Sequence, residues 1–356
     1  MASFIEYFRS FFKGASSGKK TVPFPELDAA LRDLVENRRV PGLALTVLHK
    51  GNTLFQKGYG YADLDQKIPV DPRKTIFRIA SASKPIASMA LARMVADGDI
   101  DLDESFYAYV PYFPRKETDF TIRQLAGHTA GIRGYKGKEY ALNKPYSIRD
   151  SLEIFRDDAL QFKPGTGYLY NSFDWVLISL AMEEVSGMSF VRYVKEKVLD
   201  PLGMENTQEE VPGDLPENTA VFYTRTRSGF RPSVEVDNRY KLAGGGFLST
   251  TEDLTRLGRA CLEGSLVPAE TMREFLTAQN VGGESTYYGL GWQVSADPEG
   301  RPFVGHVGNG VGGYSNFFVY PEEEIVISLL INCSDPKIQD YLDLHVVPLI
   351  LNQTII

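Results

Sequence analysis

The sequence predicts a two-domain α/β fold: an antiparallel β-sheet built from both ends of the chain and flanked by helices, with a mostly helical domain inserted between them. Three observations lead there. Strand patterns gather at the two ends of the chain. The stretch between them, to about residue 280, is helical and rich in turns. No repeat or low-complexity tract interrupts the 356 residues, a length of roughly two domains. Strands from both ends that share one sheet must cover its faces with helices. The expected division is 21–80 plus 285–356 for the sheet domain and 81–284 for the helical domain.

Residues 1–20 precede both. Phe4, Ile5, Phe8, Phe11 and Phe12 fall on one helical stripe, and Glu6, Arg9 and Lys13 break up any signal-peptide core. This segment reads as a short helix docked on the body, or as an amphipathic contact with a membrane surface or partner through residues 4–12. A flexible joint follows from Gly14 to Lys20. Without a secretory signal, a cytoplasmic location is the expectation, with organelle targeting left open.

From Phe24 to Arg39, Leu27, Ala30, Leu31, Leu34 and Val35 give a helical pattern, stopped by Val40-Pro41-Gly42. Leu43–His49 and Thr53–Gly58 read as strands joined by a tight turn at Lys50-Gly51-Asn52. The apolar run Ile76–Ala80 leads into Ser81, and Ser83 to Asp97 is a strong helix pattern ended by Gly98. Trp175–Val185 is the clearest helix of the middle stretch. Strands return at Gly289–Ser295, Arg301–His306, Tyr314–Tyr320 and Ile325–Asn332. A last helix is expected to start at Ser334-Asp335-Pro336 and run to about Leu351.

Composition narrows the function. Hydrophobic residues make up 43% and charged residues 24%, as in ordinary globular chains. A formal net charge of −8 without a Lys/Arg-dense block gives nucleic-acid binding no electrostatic basis. Cys261 and Cys333 are too few for a disulfide scaffold or a cysteine-built zinc site. The four histidines are scattered, with no HExxH, so no metal site is expected.

Several short motifs are decoys. Gly14-Ala15-Ser16-Ser17-Gly18 is a literal GxSxG, but it sits in the N-terminal joint rather than between a strand and a helix. Gly308 to Gly313 is a literal GxGxxG, but a strand follows it, not a helix. SxxK occurs five times, starting at Ser10, Ser16, Ser17, Ser81 and Ser334. Context separates Ser81: it lies between an apolar run and a long apolar helix, with free backbone N–H groups and the positive end of the helix dipole nearby. Lys84 is one turn on, so its amine reaches the hydroxyl. Desolvated against that helix, such a lysine acts as a base.

With these residues in place the sequence resembles the serine β-lactamase-like family, which includes class C β-lactamases, DD-peptidases, D-aminopeptidases and carboxylesterases. Within it, the mitochondrial serine β-lactamase-like branch and its bacterial relatives are the most similar. The resemblance runs from about residue 25 to residue 332. It is carried by residues 40–52 (VPGLALTVLHKGN), 77–84 (FRIASASK), 128–135 (HTAGIRGY), 162–172 (FKPGTGYLYNS), 236–254 (VDNRYKLAGGGFLSTTEDL), 288–292 (YGLGW) and 305–313 (GHVGNGVGG). It implies the β-lactamase/transpeptidase-like fold.

For the site, the resemblance implies Ser81 as nucleophile with Lys84, and Tyr170 as the tyrosine of the family's second motif. Which of Lys84 and Tyr170 is the general base stays open. Ser172 stands where the family commonly has Asn; the literal Tyr314-Ser315-Asn316 lies after the third motif and does not align. The third motif, Lys-Thr-Gly in β-lactamases, is His306-Val307-Gly308 here. By analogy the backbone N–H groups of Ser81 and Asn309 form an oxyanion hole, and Ser172, His306 and Gly308 contact substrate. A cleft-facing His306 titrates near neutrality in place of a fixed cation, and Val307 removes a hydroxyl from the substrate-facing strand. His128 is taken as a loop residue or as one that supports the site from behind, without chemistry of its own. Gly244-Gly245-Gly246 allows a close backbone approach beneath the site. Asp237 and Lys241 have no assigned role.

The expected activity is that of a serine hydrolase, forming an acyl-enzyme on small esters or peptide amides, without a cofactor. The alternative is a scaffold or self-assembling protein of the same fold with weak or vestigial hydrolase activity; a homo-oligomer is compatible with either.

Overall fold

The computed structural model describes residues 24–354. The aromatic stripe at residues 4–12 and the SxxK copies at Ser10, Ser16 and Ser17 lie outside the described residues. The chain starts with helix α1 (Pro25–Glu36), whose Leu27, Leu31 and Leu34 are buried on one side. Strand β1 (Gly42–His49) is buried along almost its whole length and pairs antiparallel with β2 (Asn52–Asp63). The two-residue β3 (Ile68–Pro69) closes that edge.

Four strands from the C-terminal part complete the sheet: β4 (Gln293–Ala296), β5 (Pro302–Gly310), β6 (Gly313–Tyr320) and β7 (Ile325–Ile331). The order is β4-β5-β6-β7-β1-β2-β3, antiparallel throughout, with Leu45 opposite Leu329 where the two ends of the chain meet. The expected sheet from both termini is therefore present. Residues 289–292 stay outside β4. They form a turn closed by the Gly289 N–H on the Trp292 carbonyl, with the Trp292 indole donating to Ser88 Oγ.

Alternation sorts the sheet's side chains into two cores. Leu43, Leu45, Val47, Phe318, Ile327 and Leu329 face α1 and the C-terminal helix α5 (Val347–Thr354). On the opposite face, Ala44, Phe317, Val319, Val326 and Leu330 join the large core of the helices. That core is built around α2 (Ser83–Asp97) and α3 (Phe173–Ser186), two helices buried nearly all round. The helix α4 (Thr251–Glu263), within the stretch expected to be the helical domain, packs on the sheet itself, where Thr251 Oγ1 lies 2.8 Å from Thr46 Oγ1.

Ser334 does not start a helix. It belongs to a short strand paired in parallel with Thr224, and helix begins only at Gln339. The glycine-rich run at 308–313 is the hairpin between β5 and β6. Among the described residues no helix is long and apolar enough to cross a membrane.

Candidate active site

The chain reaches Ser81 through a short strand, Phe77–Arg78, which pairs with Ser249 and Leu248. A 3₁₀ turn, Ala80–Ala82, follows and runs straight into α2. Ala80 has φ 46°, a left-handed conformation that costs a residue with a Cβ and is held here by its surroundings. Ser315 Oγ donates to the Ile79 carbonyl at 2.7 Å, and Ser83 Oγ accepts the Phe247 N–H at 3.1 Å. From the other side β5 presses in at Gly308. A Cβ there would stand 2.4 Å from the Ile79 carbonyl oxygen and 3.0 Å from the Ser81 nitrogen, so only glycine lets the strand come this close.

Three side chains meet at the end of α2. Tyr170 Oη is 2.8 Å from Ser81 Oγ and 2.6 Å from Lys84 Nζ, and Lys84 Nζ is 3.3 Å from Ser81 Oγ. Lys84 is 0% exposed and donates to the Gly244 carbonyl at 2.7 Å. Burial pulls its pKa down to about 7; Asp174 opposes that shift and Lys241 adds to it. Tyr170 as a residue is 38% exposed, and desolvation pushes its phenol above the ordinary value, tempered by the Ser81 hydroxyl.

Tyr170 is set by the turn that starts α3. Asn171 is buried, and its Nδ2 donates to Asp174 Oδ2 at 2.7 Å and to the Ile132 carbonyl at 3.1 Å. Its Oδ1 accepts the Asp174 N–H at 2.8 Å. Thus the Asn that follows Tyr170 locks the turn, while Ser172 lies on the cavity wall. The literal Tyr314-Ser315-Asn316 sits on β6, with Tyr314 packed in the core on the α1 side of the sheet.

Two expected substrate contacts are placed elsewhere. His306 is 1% exposed and stands behind Tyr170, with ring centroids 5.8 Å apart. Its Nδ1–H donates to the Val307 carbonyl at 2.7 Å, so Nε2 accepts the Tyr288 hydroxyl at 3.0 Å. Burial and the neighbouring Lys84 hold its pKa down to about 3, so it does not titrate near neutrality and does not line the cavity. Gly308 is likewise buried, and its role is the close approach to Ser81 rather than a wall of the cavity. Val307 points to the other face of the sheet, into the core covered by α1 and α5, so its missing hydroxyl concerns no substrate-facing surface.

Asn309 does line the cavity. Its Oδ1 accepts the Asp335 N–H at 3.1 Å. Backbone groups alternate along a strand, so the Asn309 N–H points the same way as that of Val307, which bonds Gln293 Oε1. Pairing with β4 has ended by then, at Gln293 opposite Gly305. The Asn309 amide is thereby aimed off the open edge beside Ser81.

Sequence reasoning missed a polar layer beneath the triad. His128 Nδ1 lies 2.7 Å from Asp174 Oδ2, both fully buried. Desolvation pushes the carboxyl well up and the imidazole well down, so neutral forms are favoured on both. The His128 ring packs 4.7 Å from Tyr170 and 4.8 Å from Tyr288. One signal was available: Asp174 is the single acid in the apolar run Phe173–Met182. Tyr288 carries no comparable signal.

The cavity above Ser81 has a volume of about 170 Å³. Its wall includes Arg78, Tyr135, Tyr140, Ser172, Asn238 and Lys241. Arg78 is neutralised by a buried ion pair with Glu210, Nε to Oε2 2.7 Å. Among the described residues no group of three or more His, Cys, Asp or Glu is placed to hold a metal.

A family model described as Beta-lactamase matches residues 27–347. The serine beta-lactamase-like protein LACTB, mitochondrial, of Homo sapiens is 28% identical over 380 residues, covering 80% of this chain and 69% of that protein. Among solved structures, the octameric penicillin-binding protein homologue from Pyrococcus abyssi superimposes with a TM-score of 0.79 at 26% identity, covering 93% of this chain and 78% of the other. The D-amino acid amidase from Ochrobactrum anthropi SV3 gives a TM-score of 0.81 at 22% identity, covering 92% of this chain and 98% of the other, a likeness of fold.

Proposed function

The chain belongs to the beta-lactamase family, and from that premise we propose that it is a serine hydrolase working through an acyl-enzyme on esters or small peptide amides. One observation carries the reading: Ser81, Lys84 and Tyr170 share one hydrogen-bonded triangle at the floor of the cavity.

In the proposed reaction Ser81 Oγ attacks the substrate carbonyl carbon. Its proton passes to Tyr170 Oη as the Tyr170 proton passes to Lys84 Nζ. The raised phenol and the lysine lowered to about 7 favour Lys84 as the final acceptor, since at neutral pH the phenol stays protonated while much of the amine is free. The oxyanion is stabilised by the Ser81 and Asn309 amides. Collapse breaks the bond to the leaving alcohol or amine, which takes the proton back through Tyr170. Water then adds to the acyl carbon, gives a proton to the same relay, and releases the acid with Ser81 restored.

Without a fixed cation at position 306, recognition of a β-lactam carboxylate from that strand is weak, which favours the ester or amide reading. The octameric state described for the Pyrococcus abyssi relative supports assembly of copies of this chain as a second property, read by light scattering. A fluorophosphonate that labels wild type but not Ser81→Ala, together with turnover of 4-nitrophenyl esters, tests the hydrolase reading; equal turnover by Ser81→Ala removes it.

A further inference from the structure

Two lysines are buried around one small cavity, and only Lys84 has a part in the proposed chemistry. Lys241 is 7% exposed, on the segment Arg239–Lys241 that precedes the Gly244-Gly245-Gly246 run. Its ammonium donates to the Tyr140 carbonyl at 2.5 Å and lies 5.2 Å from the centre of the Tyr135 ring. Both tyrosines belong to the cavity wall, which places the charge at that wall.

Among the described residues the charge has no counter-ion: no carboxylate is within ion-pair distance of Lys241 Nζ. The nearby Glu210 is taken by Arg78 and by Asn238 Nδ2 at 3.3 Å. No residue lining the cavity is acidic. An ammonium has three donors, and one carbonyl satisfies one of them. A buried cation left this way is costly unless something anionic completes it. Burial, with Arg78 adding and Glu210 opposing, draws its pKa down to about 8, still largely charged at neutral pH.

We propose that Lys241 reads substrate charge, so that the preferred esters or amides carry a carboxylate that reaches the wall formed by Tyr135, Tyr140 and Lys241. This rests on the hydrolase reading above and gives it a substrate class. The cation that β-lactamases carry on the third-motif strand is replaced here by neutral, buried His306. Lys241 supplies a cation from a different wall of the same cavity, within the 236–254 stretch, where the resemblance assigns it no role.

The test compares isosteric substrate pairs. The acyl arm sets 4-nitrophenyl hydrogen glutarate against 4-nitrophenyl 5-methylhexanoate. The leaving-group arm sets 4-acetoxybenzoate against 4-acetoxybenzamide. Wild type should prefer the anion in one arm, and that arm gives the position of the carboxylate. The anionic-to-neutral ratio of kcat/KM should fall at least about tenfold in Lys241→Met and largely persist in Lys241→Arg. Lys241→Gln, which keeps a donor for the Tyr140 carbonyl, replaces Lys241→Met if that variant does not fold. A ratio unchanged by loss of the charge, or no anionic preference in wild type, overturns the proposal. If wild type hydrolyses none of the four esters, the hydrolase reading falls separately. Calorimetric titration with glutarate then decides the anion site: binding weakened about tenfold or more in Lys241→Met supports it, and binding that is absent or unchanged overturns it.

Discussion

Ser81-Ala82-Ser83-Lys84 and Ser334-Asp335-Pro336-Lys337 match the same four-residue pattern, and the fold treats them in opposite ways. At the first, a left-handed Ala80 and a 3₁₀ turn deliver the serine to the start of a helix that buries Lys84 completely. At the second, the serine ends a strand and its Oγ accepts the Gly312 N–H, while Lys337, its side chain 78% exposed, pairs with Asp335. The lysine at position 84 has lost its water and has only a phenol, a hydroxyl and a carbonyl in exchange, so its proton is easily given up. The lysine at 337 stays in water, beside Asp335. On the proposed reading, the chemistry follows the burial of the lysine, not the spacing of the pattern.

Removing the nucleophile gives the largest effect. Ser81→Ala should lower esterase kcat/KM by at least ~10³-fold, as expected for losing a group that forms the covalent bond. Retained activity in Ser81→Ala would erase the distinction between the two copies.

Lys84→Met comes next, with a loss of roughly 10²- to 10³-fold and little further loss when combined with Ser81→Ala, since the two act as one unit. Its stability profile sharpens the contrast. With a folded pKa of about 7 and an ordinary value of 10.5, the unfolded chain holds a proton between those pH values that the folded chain does not. Stability contributed by this group therefore rises with pH across that window. Urea midpoints at pH 7 and pH 9 should show that slope in wild type, and Lys84→Met should lessen it, leaving the part contributed by Lys241.

The same proton governs the rate. Wild-type kcat/KM should climb with pH through about 7 as Lys84 loses its proton. A profile flat from pH 6 to pH 8 would separate Lys84 from proton transfer.

His306 gives a smaller effect. A buried imidazole with a pKa near 3 keeps one charge state at neutral pH. The ratio of anionic to neutral ester turnover should then vary by no more than about twofold between pH 5 and pH 7, where an exposed histidine would titrate. Smallest of all, Lys337→Ala should leave esterase activity within about twofold of wild type, as for a surface charge away from the site.

Much of this was legible in the sequence. Alternating apolar runs at both ends announced the sheet, and the apolar helix after Ser81 announced a desolvated lysine. What sequence could not show was direction and depth. His306 and Val307 are adjacent in a motif, yet a strand turns them to opposite faces, one into the layer behind Tyr170 and one into the core covered by α1 and α5. Position in a motif says where the backbone runs, not whether a side chain sees solvent. Lys241 is the converse case, a residue with no role assigned from the sequence whose place at the cavity depends on a loop packing against Tyr135 and Tyr140. The Asp174–His128 pair needed two segments forty-six residues apart to meet, and only the lone acid in an apolar helix hinted at it.

The most direct measurement is rapid-quench mass spectrometry of the protein during turnover of a 4-nitrophenyl ester, with peptide mapping of the covalent adduct. Catalysis by the buried copy of the pattern predicts an acyl group on the peptide carrying Ser81, abolished in Ser81→Ala and unaffected in Lys337→Ala. An adduct on Ser334 or any other residue, or turnover with no covalent intermediate at Ser81, would contradict it.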